Sequence, residues 1–416
     1  MSTTEATPTA STEYPFAAVP PSEAAARYRA IAADRPMTKM TMPYGGDVWV
    51  IHRNAAAREM LGDGRFVREP FRTGTRVVPY FVEFPDFLKS TLQFEDPPHH
   101  TKLRKLVQRS ISPKRVKAMR DSAVEYANQL IDAMIDSRGE GLDPVNLVSE
   151  YAVALPIQMI CNLLGVPPED RAKFQKWSSA SLSTSNMSED EVTANMTELF
   201  GYIFELIEKR RRDPQEDLIS DLANARDKDD SLTDGEILPI AMLLVIAGFD
   251  NTANFICLGV LTLLRNPDQL KVFLGDPDGL APTTVEEVLR FGRFAIDDKI
   301  AGGSGLVPFV ATEDVEIDGN VIAEGEAVLV DPASTNHDGI VIESDSEPFD
   351  VTRPNNPHLT LSYGLHHCLG APLARMEMQV GLAELFKRFP ELRLAGEVVV
   401  DQTNLTQPVT NLPVAW

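Results

Sequence analysis

The chain has 416 residues, 43% of them hydrophobic and 24% charged, which is ample for a sizeable core. A formal net charge of −22 argues against a nucleic-acid partner, because phosphate contacts dominate that kind of affinity. Three cysteines, Cys161, Cys257 and Cys368, are too few and too odd in number for a disulfide framework, which fits a reducing cytoplasm.

Length alone suggests roughly two or three domains, yet no linker or repeat follows the N-terminal stretch. The expectation is a disordered tail over 1–14 and a single domain over 15–416. The tail is rich in Ser and Thr and carries no apolar signal or anchor. Glu23 to Asp34 is predicted helical, with Ser22 placed to cap it. Val48 to His52 reads as a short strand and Ala55 to Leu61 as a helix. Pro70 to Gln93 reads as an aromatic loop carrying Phe71, Tyr80, Phe81, Phe84 and Phe87. A helix starts after Pro97-Pro98, and His100 and Arg104 fall four apart on one of its faces. From Thr101 to Arg120 lie Lys102, Arg104, Lys105, Arg109, Lys114, Arg115, Lys117 and Arg120, with no Asp or Glu. That window is either a solvated helix face or a cationic surface that touches anions.

Val116 to Ile135, Leu147 to Leu164 and Glu191 to Arg212 show apolar periodicity of about 3.6 residues. Pro167-Pro168-Glu169-Asp170 and Asp213-Pro214 punctuate them, and Cys161 falls on an apolar face as a core residue. Thr233-Asp234-Gly235-Glu236 is a capping box. It opens an apolar helix that runs to Asn266-Pro267, about 50 Å at ~1.5 Å per residue. Being apolar nearly all round, this helix should be buried. A membrane span is the rival, but Asp250, Asn251 and Asn254 fall mid-segment, where a bilayer tolerates them poorly. Pro239 should remove one hydrogen bond and bend the helix. Asp250 needs partners if buried; its surroundings are either a capped or watery kink eased by Gly248, or a functional groove. Thr284 starts another capped helix, in which Glu287 and Arg290 can pair. Leu306 to Ile317 and Ala327 to Val330 are β-rich, with turns at Asp318-Gly319-Asn320 and Glu324-Gly325.

A segment of β character from Leu359 then runs into a turn. Gly364 lets that turn pass close to a flat partner, because no Cβ intervenes. Cys368 follows, and an amphipathic helix opens with Pro372 in its first turn. A cysteine at a helix N-terminus sees the positive end of the dipole and free N–H groups, which lower its pKa. Four roles stay open for Cys368. It is a small buried apolar residue, an acyl-transfer nucleophile, a zinc ligand with the poorly spaced His366 and His367, or a thiolate ligand to haem iron.

The stretch resembles the haem-binding loop of the cytochrome P450 family, Phe-Gly-x-Gly-x-His/Arg-x-Cys-x-Gly, followed by Ala-x-Leu-Ala-Arg. Gly364, His366, Cys368, Gly370, Leu373, Ala374 and Arg375 match; Leu361 replaces the Phe and Ser362 the first Gly. Three further motifs follow the family's order. Asp96-Pro97-Pro98-His99-His100 through Arg104 resembles Asp-Pro-Pro-x-His-x-x-x-Arg, which implies that His100 and Arg104 bond a haem propionate. Ala247-Gly248-Phe249-Asp250-Asn251-Thr252 resembles Ala-Gly-x-Asp/Glu-Thr-Thr. This implies that Ala247 and Gly248 lie among the cofactor-binding residues and that Asp250 supplies protons for dioxygen. Asn251 stands where the first alcohol usually is, and Thr252 takes a secondary role. Glu287, Arg290 and Arg353 match a buried network that braces the Cys368 loop. Many relatives carry a propionate-binding Arg where Phe309 stands, so propionate charge would rest on His100, Arg104 and His366.

The resemblance implies a mainly α P450 fold with a smaller β region and haem b (iron protoporphyrin IX) between the central helix and the loop. Cys368 is then the metal ligand, with Gly364, His366 and Gly370 around it. The implied activity is haem-thiolate monooxygenation, hydroxylating or epoxidising a lipophilic small molecule of secondary-metabolite type. No Gly-rich dinucleotide or flavin fingerprint is present, so electrons come from a ferredoxin and its ferredoxin reductase, docking near Lys102, Lys105 and Arg109. A cytoplasmic monomer of the soluble bacterial type is expected, with no membrane and no nucleic acid as partner. Two other readings stand beside this one: a haem-thiolate enzyme for oxidative coupling or peroxide-driven oxidation, and a non-catalytic haem- or ligand-binding protein.

Overall fold

The computed structural model describes residues 12–13, 35–42, 44–79, 89, 91–138, 143–180, 189–224, 232, 234–291, 307–338, 349–401 and 408–416. The expected helix Glu23 to Asp34 with its Ser22 cap, the loop aromatics Tyr80, Phe81, Phe84 and Phe87, and Thr233 lie outside them.

Alternation of apolar residues builds the larger sheet. Its strands are β1 (Thr12–Glu13), β2 (Met37–Met42), β3 (Gly46–Ile51), β4 (Phe66–Val67), β6 (Phe309–Ala311) and β9 (Ala327–Val330), in the order β1-β2-β3-β9-β6-β4. Successive side chains point to opposite faces. Met40, Met42, Val48, Val50, Val310 and Leu329 fill one face. Met37, Ile51, Phe66, Phe309, Val328 and Val330 fill the other. Thr12 and Glu13 pair in parallel with Met40 and Thr41. Thr12 and Glu13 are the described part of the stretch 1–14, and they add a short edge strand where β2 offers unpaired backbone groups. β7 (Val315–Ile317) and β8 (Asn320–Ile322) form a hairpin turning at Asp318-Gly319. β5 (Val145–Asn146), β10 (Arg393–Leu394) and β13 (Pro413–Ala415) make a small sheet, and β11 (Val399–Val400) pairs with β12 (Val409–Asn411).

The rest is mainly helical: α1 (Asn54–Gly62), α2 (Glu69–Thr73), α3 (His99–Ser110), α4 (Pro113–Arg138), α5 (Ala154–Leu164), α6 (Arg171–Ala180), α7 (Glu189–Arg212), α8 (Leu218–Asn224), α9 (Asp234–Arg265), α10 (Pro267–Gly275), α11 (Pro277–Phe291), α12 (Pro332–Thr335) and α13 (Ala371–Arg388). A wider π-type turn, Val148–Ala152, leads into α5. α9 is the expected central helix. Its 32 residues pass through Pro239 without ending, and it packs against α5, α7, α11 and α13. By length and composition Gly235–Arg265 passes for a membrane span, with mean hydropathy 1.6. However, Ile240, Val245, Phe249, Ile256 and Leu261 are spent on the helical core. Cys161 and Cys257 are buried there as well.

Two boundaries differ from expectation. Part of the Pro70 to Gln93 loop is helical, because α2 starts at Glu69 with Pro70 in its first turn, where a missing N–H is harmless. Thr284 does not start a helix: α11 begins at Pro277, seven residues earlier. Asp276 is the better cap, its Oδ1 accepting the Gly279 N–H at 3.0 Å. Thr284 is left fully buried inside the helix.

Candidate functional site

The Cys368 loop is shaped by backbone demands at two residues. Ser362 and Gly364 both adopt left-handed backbone, with φ of 60° and 66°. A Cβ on Gly364 would come within 2.3 Å of the Leu61 carbonyl oxygen. Within the protein, the close partner that requires glycine is the last turn of α1. Ser362 carries a conformation that costs a non-glycine residue about 1–2 kcal/mol. Local hydrogen bonds hold the turn: Ser362 N–H to the Leu359 carbonyl at 2.8 Å, His367 N–H to Gly364 at 3.1 Å, and Cys368 N–H to Leu361 at 2.8 Å.

Cys368 is partly exposed, just before α13, whose first turn contains Pro372. Burial of the sulfur pushes the thiol up, against the pull of the Gly370 and Ala371 N–H groups, Arg104 and Arg375. The expected lowering by the helix N-terminus is thus outweighed by desolvation. A bound metal cation would reverse this, since a coordinating thiol is deprotonated outright. A Cβ on Gly370 would meet no protein atom within 4 Å. Among the described residues no group of three or more His, Cys, Asp or Glu is placed to hold a metal ion, so His366, His367 and Cys368 do not form a zinc site.

Beside the loop lies a cationic cluster. The His100 and His366 rings meet at a tilt of 55° with 4.6 Å between centroids, and the Phe309 ring meets His366 edge-on at 5.6 Å. Arg104 sits on the same side of α3 as His100, and its charge acts on both imidazoles and on the Cys368 sulfur. Arg68, which the sequence reading missed, lies over the Phe309 ring at 4.1 Å. Burial lowers its pKa to about 9, against the pull of Asp96, so it stays charged at neutral pH. Burial first, then Arg104 and Arg68, hold His100 at about 4. Burial, Arg68, His100 and Arg104 hold His366 at about 2. Three buried atoms here lack hydrogen-bond partners: Arg68 Nε, His100 Nδ1 and His366 Nε2. A carboxylate-bearing cofactor fits these groups, because buried polar atoms are normally satisfied.

On α9, Ala247 and Asn251 are accessible one turn apart. Gly248 faces elsewhere: a Cβ there would lie 2.6 Å from Ile160 Cδ1, so the glycine serves close packing of α5. The Gly248 carbonyl accepts the Thr252 hydroxyl at 3.2 Å. The helix continues through this segment. Asp250 is half-buried, and its charge reaches the Cys257 thiol.

Two carboxylates on α11 brace the loop. Glu287 is fully buried; it binds Arg290 at 2.7 and 2.8 Å, Arg353 at 3.1 Å, Asn356 at 2.8 Å and the Asp350 N–H at 3.0 Å. Its neighbour Glu286, not foreseen in the sequence, holds Arg375 at 2.6 and 2.8 Å and His358 at 3.0 Å. Asn336 adds a third tie, accepting the Leu359 N–H at 2.7 Å and donating to Thr360. A Glu-Glu pair, with an arginine early in the helix after the Cys loop, was the available signal for Glu286.

Comparison with known proteins identifies the family and the fold. The family model described as Cytochrome P450 matches residues 46–272 and 283–411. The mycinamicin IV hydroxylase/epoxidase of Micromonospora griseorubida is 37% identical over 406 residues, covering 97% of this chain and 98% of the relative. The nocardicin C N-oxygenase of Nocardia uniformis subsp. tsuyamanensis is 37% identical over 395 residues, covering 94% of each. The solved structure of a mutant of the mixed-function P450 MycG in complex with mycinamicin IV superposes with a TM-score of 0.85 at 36% identity, covering 94% of this chain and 96% of that one.

Proposed function

The chain belongs to the cytochrome P450 family and is a monooxygenase using haem b, and we propose that Cys368 is the iron ligand and that the substrate is a lipophilic secondary metabolite. The observation that carries the cofactor assignment is the placement of one sulfur beside a buried set of orphaned imidazole and guanidinium donors. Haem bound there supplies dioxygen activation, with one oxygen atom going to substrate and the other to water as two electrons and two protons are consumed. Cys368 presents its sulfur with the Gly370 and Ala371 N–H groups directed at it. His100, Arg104 and His366 bind the propionates. Asp250 supplies protons from the central helix, and Asn251, on the accessible face, holds the water that carries them. Glu287, Arg290 and Arg353 keep the loop fixed.

The substrate class is supported by the relatives, which are named for hydroxylation or oxygenation of mycinamicin, nocardicin and 6-deoxyerythronolide B. A ferredoxin and its reductase supply electrons at the exposed side of α3. One observation favours a second reading, peroxide-driven oxidation: the Thr252 hydroxyl is already bonded to Gly248, and Asn251 has no hydroxyl to relay a proton. Turnover with peroxide and no reductase separates the two.

The central test is spectroscopic. The reduced protein under carbon monoxide is expected to show the long-wavelength Soret band of a sulfur-ligated adduct, and Cys368→Ser is expected to lose it. A wild-type spectrum without that band rejects the assignment.

A further inference from the structure

Among the described residues three arginines are buried: Arg68, Arg210 and Arg290. Arg210 pairs with Asp217 and Arg290 with Glu287. Arg68 is only 9% exposed and has no carboxylate partner among the described residues. Its Nη1 donates to the Gln93 carbonyl at 2.7 Å, and its Nε donates to nothing among the described residues. The nearby Asp96 carboxylate is already committed to backbone: its Oδ2 accepts the N–H groups of Arg68 and Glu69 at 2.8 and 2.7 Å. A buried guanidinium without an anion is expensive unless a ligand completes it.

Topology explains where Arg68 points. β4 and β6 pair antiparallel, with Phe66 opposite Ala311 and Val67 opposite Val310. One step further along this register stands Arg68 against Phe309, and the guanidinium lies on that phenyl ring at 4.1 Å. The same ring meets His366 edge-on, and His366 in turn meets His100 at a tilt. Asp96 ties this segment to α3, its carboxylate accepting the Arg68 N–H at 2.8 Å and its carbonyl the His100 N–H at 3.0 Å.

We propose that Arg68 is a haem-propionate ligand, delivering from the neighbouring strand the guanidinium that position 309 does not supply, with Phe309 as its platform. This rests on the haem reading above. Arginine suits the task, because its fork can donate two parallel hydrogen bonds to one carboxylate while stacked on an aromatic face.

The test is transfer of ferric haem from the holoprotein to excess apomyoglobin, a readout independent of turnover. Arg68→Leu is expected to lose haem about tenfold faster, the loss of one charge-assisted hydrogen bond. Arg68→Lys is expected to fall between, and Arg68→Leu combined with Phe309→Arg to return towards the wild-type rate. A wild-type rate in Arg68→Leu, with its carbon monoxide band intact, overturns the proposal and leaves the haem reading standing. If Arg68→Leu does not accumulate as holoprotein, the double variant decides: slow loss upholds the assignment, and fast loss or no haem rejects it. A wild-type protein without the long-wavelength band sinks the haem reading itself.

Discussion

Asn251 and Thr252 are adjacent, yet the helix turns them to different work. Asn251 is accessible, beside Ala247 one turn earlier. Thr252 is 5% exposed and back-bonded to the Gly248 carbonyl. A carboxamide both donates and accepts, so it can hold a water, but it does not pass on a proton as a hydroxyl does. Asn251→Ala is therefore expected to lower product formed per electron pair severalfold while leaving the carbon monoxide spectrum unchanged, as read by oxygen and product stoichiometry. Unchanged coupling removes Asn251 from the proton path. Cys368 shows the same dependence on surroundings. Its place in the chain argues for a low pKa, while desolvation of the sulfur in this partly exposed residue pushes it up.

At the scale of elements, α11 works as a bracket. Consecutive carboxylates leave it in two directions, Glu287 towards 350–356 and Glu286 towards the first turn of α13. Burial would raise Glu286, but hydrogen bonds from His358 and Arg375 outweigh it and hold the carboxyl at about 2 instead of 4.5. A depressed folded pKa stabilises the protein above the unfolded value and is lost as pH falls through the folded one. Glu286→Gln is expected to be less stable than wild type at neutral pH by on the order of 2 kcal/mol, a figure discounted for the partial exposure of the pair. The difference in melting temperature should shrink between pH 4.5 and 2. A pH-independent difference would mean that Glu286 acts through packing alone.

For the whole molecule the decisive quantity is charge. The protein carries −22, which repels an acidic electron carrier except where the local field is positive. α3 separates its cations: His100 and Arg104 serve the buried cluster, while Lys105 and Arg109 are exposed. Together with Lys102 they form the face proposed for a ferredoxin. Reversing Lys102, Lys105 and Arg109 to Glu is expected to slow ferredoxin-driven reduction and to flatten its dependence on salt, measured by stopped flow. An unchanged rate moves the docking site elsewhere.

What the sequence by itself determined was whatever local periodicity and spacing encode. The central helix, the Cys368 turn, the His100–Arg104 face and the Glu287–Arg290 pair are all short-range patterns, and each lies where its spacing puts it. Tertiary structure alone decided the contacts between distant segments. Pairing of β4 with the distant β6 sets Arg68 over Phe309, α1 makes Gly364 necessary, and α5 does the same for Gly248. The physical reason is that desolvation and steric contact depend on what packs from elsewhere in the chain, which a residue's own neighbours in sequence do not specify.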